Sequence, residues 1–189
     1  DEWQMKVLGD VGKVRMCKRI FNHETNTSGD VPFYKIGTFG KAADAYISQD
    51  LYDSYRNKFA FPDFGSILIS AAGTIGRTVI YRGEDAYFQD SNIIWIENSE
   101  NLISNLFLYH LLKVVNYTTE GGTIQRLYNS IVSNTAFTCP PKLEQEAIAE
   151  VLSDMDAEIA ALEERLEKAK AIKQGMMQQL LTGKIRLVD

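Results

Sequence analysis

The sequence predicts an α+β fold: a β-rich body over residues 1–140 with one helix inside it, then a single long helix over residues 141–189. Three observations carry the prediction. Short runs rich in Val, Ile, Tyr and Phe, punctuated by glycine, dominate the first part. The pair Pro140-Pro141 closes that pattern, because a double proline cannot continue a regular element and suits the entry to a helix. Beyond it, apolar residues recur at alternating steps of four and three, the spacing of a helix with one buried seam.

In chain order, the β-rich runs are 11–16, 33–36, 67–70, 78–81 and 93–96. Gly37, Gly40, Gly65, Gly73, Gly76 and Gly83 lie between them as turn punctuation. One helix, over 102–115, interrupts the strands, since Leu102, Leu106, Tyr109, Leu112 and Val114 fit a helical face better than a strand. After Pro141 the seam reads Ile148, Leu152, Met155, Ile159, Leu162, Leu166 and Ala169; Ile172, Met176 and Leu180 continue it with a phase slip where Lys173 would otherwise stand. Glu144 and Glu146 suit the helix start, and Gly183 with Lys184 and Arg186 marks its end. Roughly 40 helical residues span about 60 Å, more than the body needs. Glu158, Glu163, Glu164, Glu167, Lys168 and Lys170 keep the other faces polar, so the narrow stripe is suited to pairing with another helix and not to lying across its own domain.

Composition bounds the function. Of 189 residues, 45% are hydrophobic and 24% charged, as in ordinary globular proteins. Apolar stretches stop well short of the roughly 18 residues that span a membrane. Asp1-Glu2-Trp3-Gln4 lacks the character of a signal peptide, so a cytoplasmic location is expected. Cys17 and Cys139 stand far apart without a paired cysteine, which argues for two buried thiols and against a disulfide framework or a zinc site, and His23 and His110 add too little to make one. A net charge of −5 disfavours holding nucleic acid by bulk electrostatics, so any such contact must be local or shared with partners. One basic stretch stands out: Lys13, Arg15, Lys18 and Arg19, with Lys35 and Lys41 following.

Catalytic motifs are missing from the sequence. Gly9-Asp10-Val11-Gly12-Lys13-Val14 has the wrong spacing for a phosphate-cradling loop and no hydroxyl after the lysine. Gly37/Gly40 and Gly73/Gly76 each lack the third glycine of a dinucleotide fingerprint. Cys139-Pro140-Pro141-Lys142 lacks both ends of an amino-methyltransferase motif, and Pro62-Asp63 has no Glu-x-Lys or Asp-x-Lys after it, as a metal-dependent nuclease would need. With two histidines and no G-x-S-x-G, little material remains for acid–base or nucleophilic catalysis. The chain reads as a binder, with no catalytic, metal or cofactor site of its own.

Specific residues then make a family recognisable. Gly65-Ser66-Ile67-Leu68-Ile69-Ser70-Ala71-Ala72-Gly73-Thr74-Ile75-Gly76-Arg77, followed by Ala86-Tyr87-Phe88-Gln89-Asp90-Ser91-Asn92, resembles the target-recognition domain of type I restriction-modification specificity subunits. Trp3 with Leu8-Gly9-Asp10-Val11 resembles its opening, and Val31-Pro32-Phe33-Tyr34-Lys35-Ile36-Gly37 its early strand. The run from Pro140 to Ala149 resembles the start of the family's helical spacer, and the run from Gln178 to Arg186 its end. The resemblance implies a mixed-sheet DNA target-recognition domain followed by one long coiled-coil helix. It also implies a non-catalytic subunit that reads one half of a bipartite site on double-stranded DNA. Its partners would be modification (methyltransferase) subunits, which bind S-adenosylmethionine, and restriction subunits. The usual member carries two recognition domains and two spacers, and this chain has one of each, so a homodimer is expected through Ile148, Leu152, Met155, Ile159, Leu162, Leu166, Ala169, Ile172, Met176 and Leu180. Half-sites would then lie about one helical turn apart, roughly 34–36 Å.

Within that frame, 118–129 offers the strongest base-reading candidates. Thr123, Gln125 and Arg126 stand in a glycine-containing loop, with an amide suited to adenine and a guanidinium suited to guanine; an ordinary surface loop has the same composition. Gln89, Ser91 and Asn92 suit base contacts and equally suit local backbone capping. Lys13, Arg15, Lys18 and Arg19 suit phosphates, as solvated strand-face charges also would, with Lys35, Thr38 and Lys41 joining that surface. Two rival readings remain: a free-standing coiled-coil dimeric DNA-binding regulator, and a structural interaction protein without sequence preference.

Overall fold

The computed structural model describes residues 2–117 and 126–188, and the chain divides into two compact units, Asp1–Ala147 and Ile148–Asp189. In the first, β1 (Gln4–Val7), the single turn α1 (Leu8–Val11) and β2 (Gly12–Met16) lead through a 3-10 turn at Asn22–Glu24 to β3 (Val31–Tyr34), β4 (Tyr46–Ile47) and α2 (Gln49–Lys58). Then follow β5 (Ile67–Ser70), β6 (Thr78–Ile80), β7 (Tyr87–Phe88), β8 (Ile93–Asn98), α3 (Asn105–Leu112), α4 (Asn129–Asn134), β9 (Ala136–Cys139) and the long helix α5 (Lys142–Leu180).

The strands form a four-stranded antiparallel sheet in the order β2-β8-β5-β6, a three-stranded sheet β4-β3-β7, and the pair β1-β9. Because β3 runs parallel to β7 and antiparallel to β4, the fold is mixed. Register in the main sheet sets Leu68 beside Trp95 and Ile69 beside Ile94. β5 is buried along its whole length, which is why it reads as an unbroken apolar run and not as an alternating one. A layer of aromatic rings packs beneath the three-stranded sheet. Phe61 meets Tyr81 edge-on at 5.7 Å, and Tyr81 meets Phe88 at 5.8 Å, the geometry that sets a ring's positive edge on its neighbour's face.

Some elements differ from the sequence expectation. The strand expected at 11–16 begins at Gly12, because Val11 closes α1 and is buried there with Leu8. The strand expected at 33–36 sits at Val31–Tyr34, since Val31 and Phe33 supply its buried face while Lys35 turns the chain. The helix expected at 102–115 is confined to Asn105–Leu112, started by the Ser104 hydroxyl accepting from the Phe107 N–H at 3.3 Å. α2, which the expectation of one helix omitted, has Ser48 as its N-cap, Asp50 in its first turn and Arg56 and Lys58 in its last. Its one buried residue is Tyr52, so its apolar period is too faint to stand out.

The first turn of α5 belongs to the first unit. There Gln145 is buried and its amide donates to the carbonyls of Leu102 at 3.0 Å and Pro140 at 2.9 Å. In the second unit, Leu152, Met155, Ile159, Leu162, Leu166, Ile172 and Met176 are 37–68% exposed. Ion pairs from Lys168 to Glu164 at 2.6 Å and from Lys170 to Glu167 at 2.7 Å lace the polar side. Gly183, at φ 71°, ends the run, and the Ile185 N–H donates back to the Gln179 carbonyl at 3.2 Å. Among the described residues no helix is long and apolar enough to cross a membrane.

Candidate nucleic-acid interface

Four connections converge at one end of the main sheet: the turn after β3, the β5–β6 hairpin loop, the β7–β8 turn, and the strand-like entry at Arg126. Long-range hydrogen bonds tie them together. The Ile36 N–H donates to Gln89 Oε1 at 2.9 Å, the Ala71 N–H to the Asn92 carbonyl at 2.7 Å, and the Leu127 N–H to the Ala71 carbonyl at 2.8 Å. Arg77 Nη1 donates to the Phe39 carbonyl at 2.9 Å. Arg126 Nη2 donates to the Ser91 carbonyl at 2.9 Å and to Ser91 Oγ at 2.6 Å. Ser91 has a φ of 49°, so the guanidinium braces a left-handed turn that a serine rarely adopts unaided.

The hairpin loop is organised from within. Ser70 Oγ accepts from the Arg77 N–H at 2.8 Å and donates to the Thr74 carbonyl, while the Gly76 N–H donates to the Ser70 carbonyl at 3.0 Å. Gly73 and Gly76 sit at φ 64° and 81°, and a Cβ on Gly76 would lie 3.2 Å from the Tyr117 ring. Both glycines therefore serve the turn's backbone.

The basic cluster is divided by the fold. Lys13 stands on β2 opposite Glu97, toward the Asn98 end of β8 and away from the converging loops, while Arg15 stands opposite Trp95 nearer the loop end, with its Nη2 paired to Glu97 at 2.9 Å. Arg19 lies at the loop end and binds Asp90 at 2.9 Å. Lys18 rides over the Phe59 ring at 5.3 Å, and its carbonyl accepts from the Tyr87 hydroxyl at 3.0 Å. Lys35 pairs with Asp44 at 2.8 Å, and the Thr38 hydroxyl accepts from the Lys35 N–H at 3.1 Å, closing the turn. Gln89, Ser91 and Asn92 all hold the convergence described above. Thr123 and Gln125 lie outside the described residues.

Lys41 and Arg77 meet in a groove of about 270 Å³ lined by Ile36, Gly37, Ser70, Gly73 and Thr74, with no carboxylate in the lining. Arg77 escaped the sequence reading, although its place directly after Gly73-Thr74-Ile75-Gly76 puts a guanidinium at the foot of a glycine turn. Burial pushes the Tyr87 hydroxyl well above the usual phenol range and the Cys17 thiol up to about 12, so both stay neutral. Among the described residues no group of His, Cys, Asp and Glu could hold a metal ion.

A mixed-sheet body with polar loops gathered at one end, and a long helix with an open seam, define a recognition module. The family described as "Type I restriction modification DNA specificity domain" matches residues 1–171, and the chain belongs to it. A putative type I restriction enzyme specificity subunit of Haemophilus influenzae, S.HindORF215P, is 53% identical over 163 residues, covering 86% of this chain and 42% of that protein. The EcoBI specificity subunit of Escherichia coli is 24% identical over 199 residues, covering 100% of this chain and 40% of that protein. Among solved structures, the HsdS subunit from Thermoanaerobacter tengcongensis superposes with a TM-score of 0.59 at 16% identity, over 94% of this chain and 44% of that one. A chain from a study of assembly and conformational transition in a type I restriction-modification system gives 0.65 at 17% identity, over 94% and 45%. These likenesses place the fold, and the chain spans less than half the length of the relatives it matches.

Proposed function

We propose that this chain is a non-catalytic, sequence-specific DNA-recognition subunit that reads one half of a bipartite site and docks methyltransferase subunits. S-adenosylmethionine is bound by those partners, restriction subunits join the same assembly, and two copies pair through the α5 seam. The observation that carries the reading is the gathering of the family's shared segments into one loop surface: Gly65–Arg77, Ala86–Asn92 and Val31–Gly37 meet there through side-chain and backbone hydrogen bonds.

The division of the cations supports a division of labour. Lys41, without an ion pair among the described residues, grips phosphate beside Arg77, and Lys13 and Lys18 add phosphate contacts further out. Arg15, Arg19 and Lys35 are partly neutralised by Glu97, Asp90 and Asp44. That tempering suits an acidic chain that holds DNA locally and shares the load with partners. Arg126, Ser91, Asn92, Thr38 and Gln89 set the shape of the reading loops, with Thr123 and Gln125 contributing base contacts.

Co-expression with a methyltransferase subunit, followed by mapping of the methylated sequence, tests the reading. A single bipartite target is expected. Lys41→Ala should weaken binding equally at all sites and lower the salt slope by about 1, whereas Gln125→Ala should relax discrimination at one position by about 1–3 kcal/mol. Failure to associate with the methyltransferase, or methylation without sequence preference, overturns the proposal.

A further inference from the structure

The groove between Lys41 and Arg77 is built from two turns that touch. The turn after β3 is wound by the Thr38 N–H donating to the Lys35 carbonyl at 3.0 Å and the Lys41 N–H donating to the Thr38 carbonyl at 2.9 Å. It leans on β6, since a Cβ on Gly40, at φ 73°, would lie 3.4 Å from Val79 Cγ2 and 3.8 Å from Arg77 Cδ. Across the groove, a Cβ on Gly73 would lie 3.6 Å from Ile36 Cγ1, so the β5–β6 loop meets the same turn at van der Waals distance. Arg77 Nη1 closes the frame on the Phe39 carbonyl at 2.9 Å, which orders the guanidinium before any ligand arrives.

Charge in the groove is of one sign. Lys41 is exposed and Arg77 half-buried, and no carboxylate lines the space they share. Asp44, the nearest acid in sequence, is held by Lys35 at 2.8 Å. A guanidinium and an ammonium beside open backbone suit a phosphate, whose oxygens accept from both. Gly37 stands on the wall of this groove. Its φ lies outside the left-handed range, and a Cβ built on it meets nothing within 4 Å. Neither turn geometry nor packing within the described residues therefore calls for glycine at 37, whereas a ligand that approaches the backbone closely does.

The groove is joined to the turns that carry the polar reading candidates. Ile36, in its lining, donates its N–H to Gln89 Oε1 at 2.9 Å. Ser70, also in the lining, accepts the Arg77 N–H on Oγ at 2.8 Å. The next residue, Ala71, donates its N–H to the Asn92 carbonyl at 2.7 Å. Groove and reading turns thus share one hydrogen-bonded frame.

We infer that this groove seats one phosphate of the DNA backbone, held by Arg77 and Lys41 with Gly37 keeping the wall clear, and that this contact anchors the turns around Gln89, Ser91 and Asn92 on the duplex. The inference rests on the proposed reading of DNA and adds the seat that positions it. A phosphate contact carries no sequence information itself, yet it fixes where a protein sits on the duplex.

A phosphate-by-phosphate scan tests it. Each phosphate of the mapped half-site is replaced in turn by a neutral methylphosphonate, and binding is measured for the full chain assembled with its methyltransferase subunit. One position should cost the parent about tenfold, and the same replacement should cost Lys41→Ala less than about twofold, because that contact is already weakened. Gly37→Gln should behave as Lys41→Ala does in the scan, while its thermal midpoint stays with the parent's. Titration of the chain alone with inorganic phosphate should show no saturable binding. A Lys41→Ala scan that keeps the parent's full loss at every position, or a Gly37→Gln chain that binds as the parent does, overturns the seat and leaves the DNA reading in place. Saturable binding of inorganic phosphate that Gly37→Gln abolishes assigns the groove to a free ion and overturns the inference equally. A parent assembly with no preferred sequence overturns the DNA reading, and the seat with it.

Discussion

Gln145 offers a quantitative test of how the first unit holds the start of α5. The residue is 1% exposed. Its Nε2 donates to the Leu102 carbonyl at 3.0 Å and the Pro140 carbonyl at 2.9 Å, and it touches Cys139 Sγ at 3.5 Å. Its Oε1 accepts from the Ser104 N–H at 3.1 Å. Gln145→Ala strands two carbonyls and one N–H, each worth about 1–3 kcal/mol when left unsatisfied in the interior. Partial relaxation lowers the sum, so a loss of about 3–4 kcal/mol is expected, a large share of a typical domain's stability. Gln145→Leu keeps most of the volume and strands the same groups, so it should cost nearly as much and separate the polar contribution from the cavity.

Gln145→Glu keeps the acceptor for Ser104 but turns its second oxygen toward two carbonyls. That environment raises the carboxyl pKa in the folded chain above its unfolded value of about 4.3. The variant should therefore be least penalised when protonated, and its deficit against the parent should grow as pH rises from about 4 toward 7. Urea unfolding followed by Trp95 fluorescence and far-UV circular dichroism gives the differences directly. A loss below about 1 kcal/mol for Gln145→Ala, with unchanged urea sensitivity, would refute the reasoning by showing that the stranded groups find water at little cost.

Other perturbations follow from the same structure. Gly76→Ala meets both a φ of 81° and the Tyr117 ring at 3.2 Å, so it should destabilise the body by about 1–2 kcal/mol in the same urea assay. Gly175→Ala meets open space inside α5 near its C-terminal end and should raise the thermal stability of the second unit by about 0.5–1 kcal/mol. Ser70→Ala strands the Arg77 N–H and the Thr74 carbonyl, costing about 1–3 kcal/mol and loosening the loops, which amide hydrogen exchange at residues 71–77 would register. With Cys17 pushed up to about 12 from 9.0, the unfolded thiol ionises first. Its contribution to stability is therefore complete below pH 9 and lost as pH rises toward 12, and a thiol reagent at pH 8 should label it only on unfolding.

Much of the architecture is legible locally. β5, β6 and β8 lie almost where their β-branched runs place them, because those runs form the buried centre of a sheet and any other conformation would leave them in water. β1, β9, β4 and β7 left no comparable trace. β1 exists by pairing Gln4 with Cys139 and Val7 with Ala136, and β7 has only two residues, tied in parallel to β3. Such strands are created by a partner remote in sequence, so their own composition need not announce them.

The same division runs through the candidate interface. The chemical types were readable: glycine turns, amides, a basic stretch, a guanidinium after a glycine pair. Their placement was not. Lys13 sits at the far end of β2 from the loops, Arg15 is drawn to Glu97, and Arg126 is engaged by Ser91, because the register of β2 on β8 and the return of the chain at Ala72 decide where those side chains arrive. For α5 the sequence by itself determined the helix and its seam, since helical hydrogen bonds join residues four apart and the heptad is written into that spacing. Only the tertiary structure decided which of the body's polar residues meet, because hydrogen bonds such as Ile36 to Gln89 and Ala71 to Leu127 join segments that no local spacing relates.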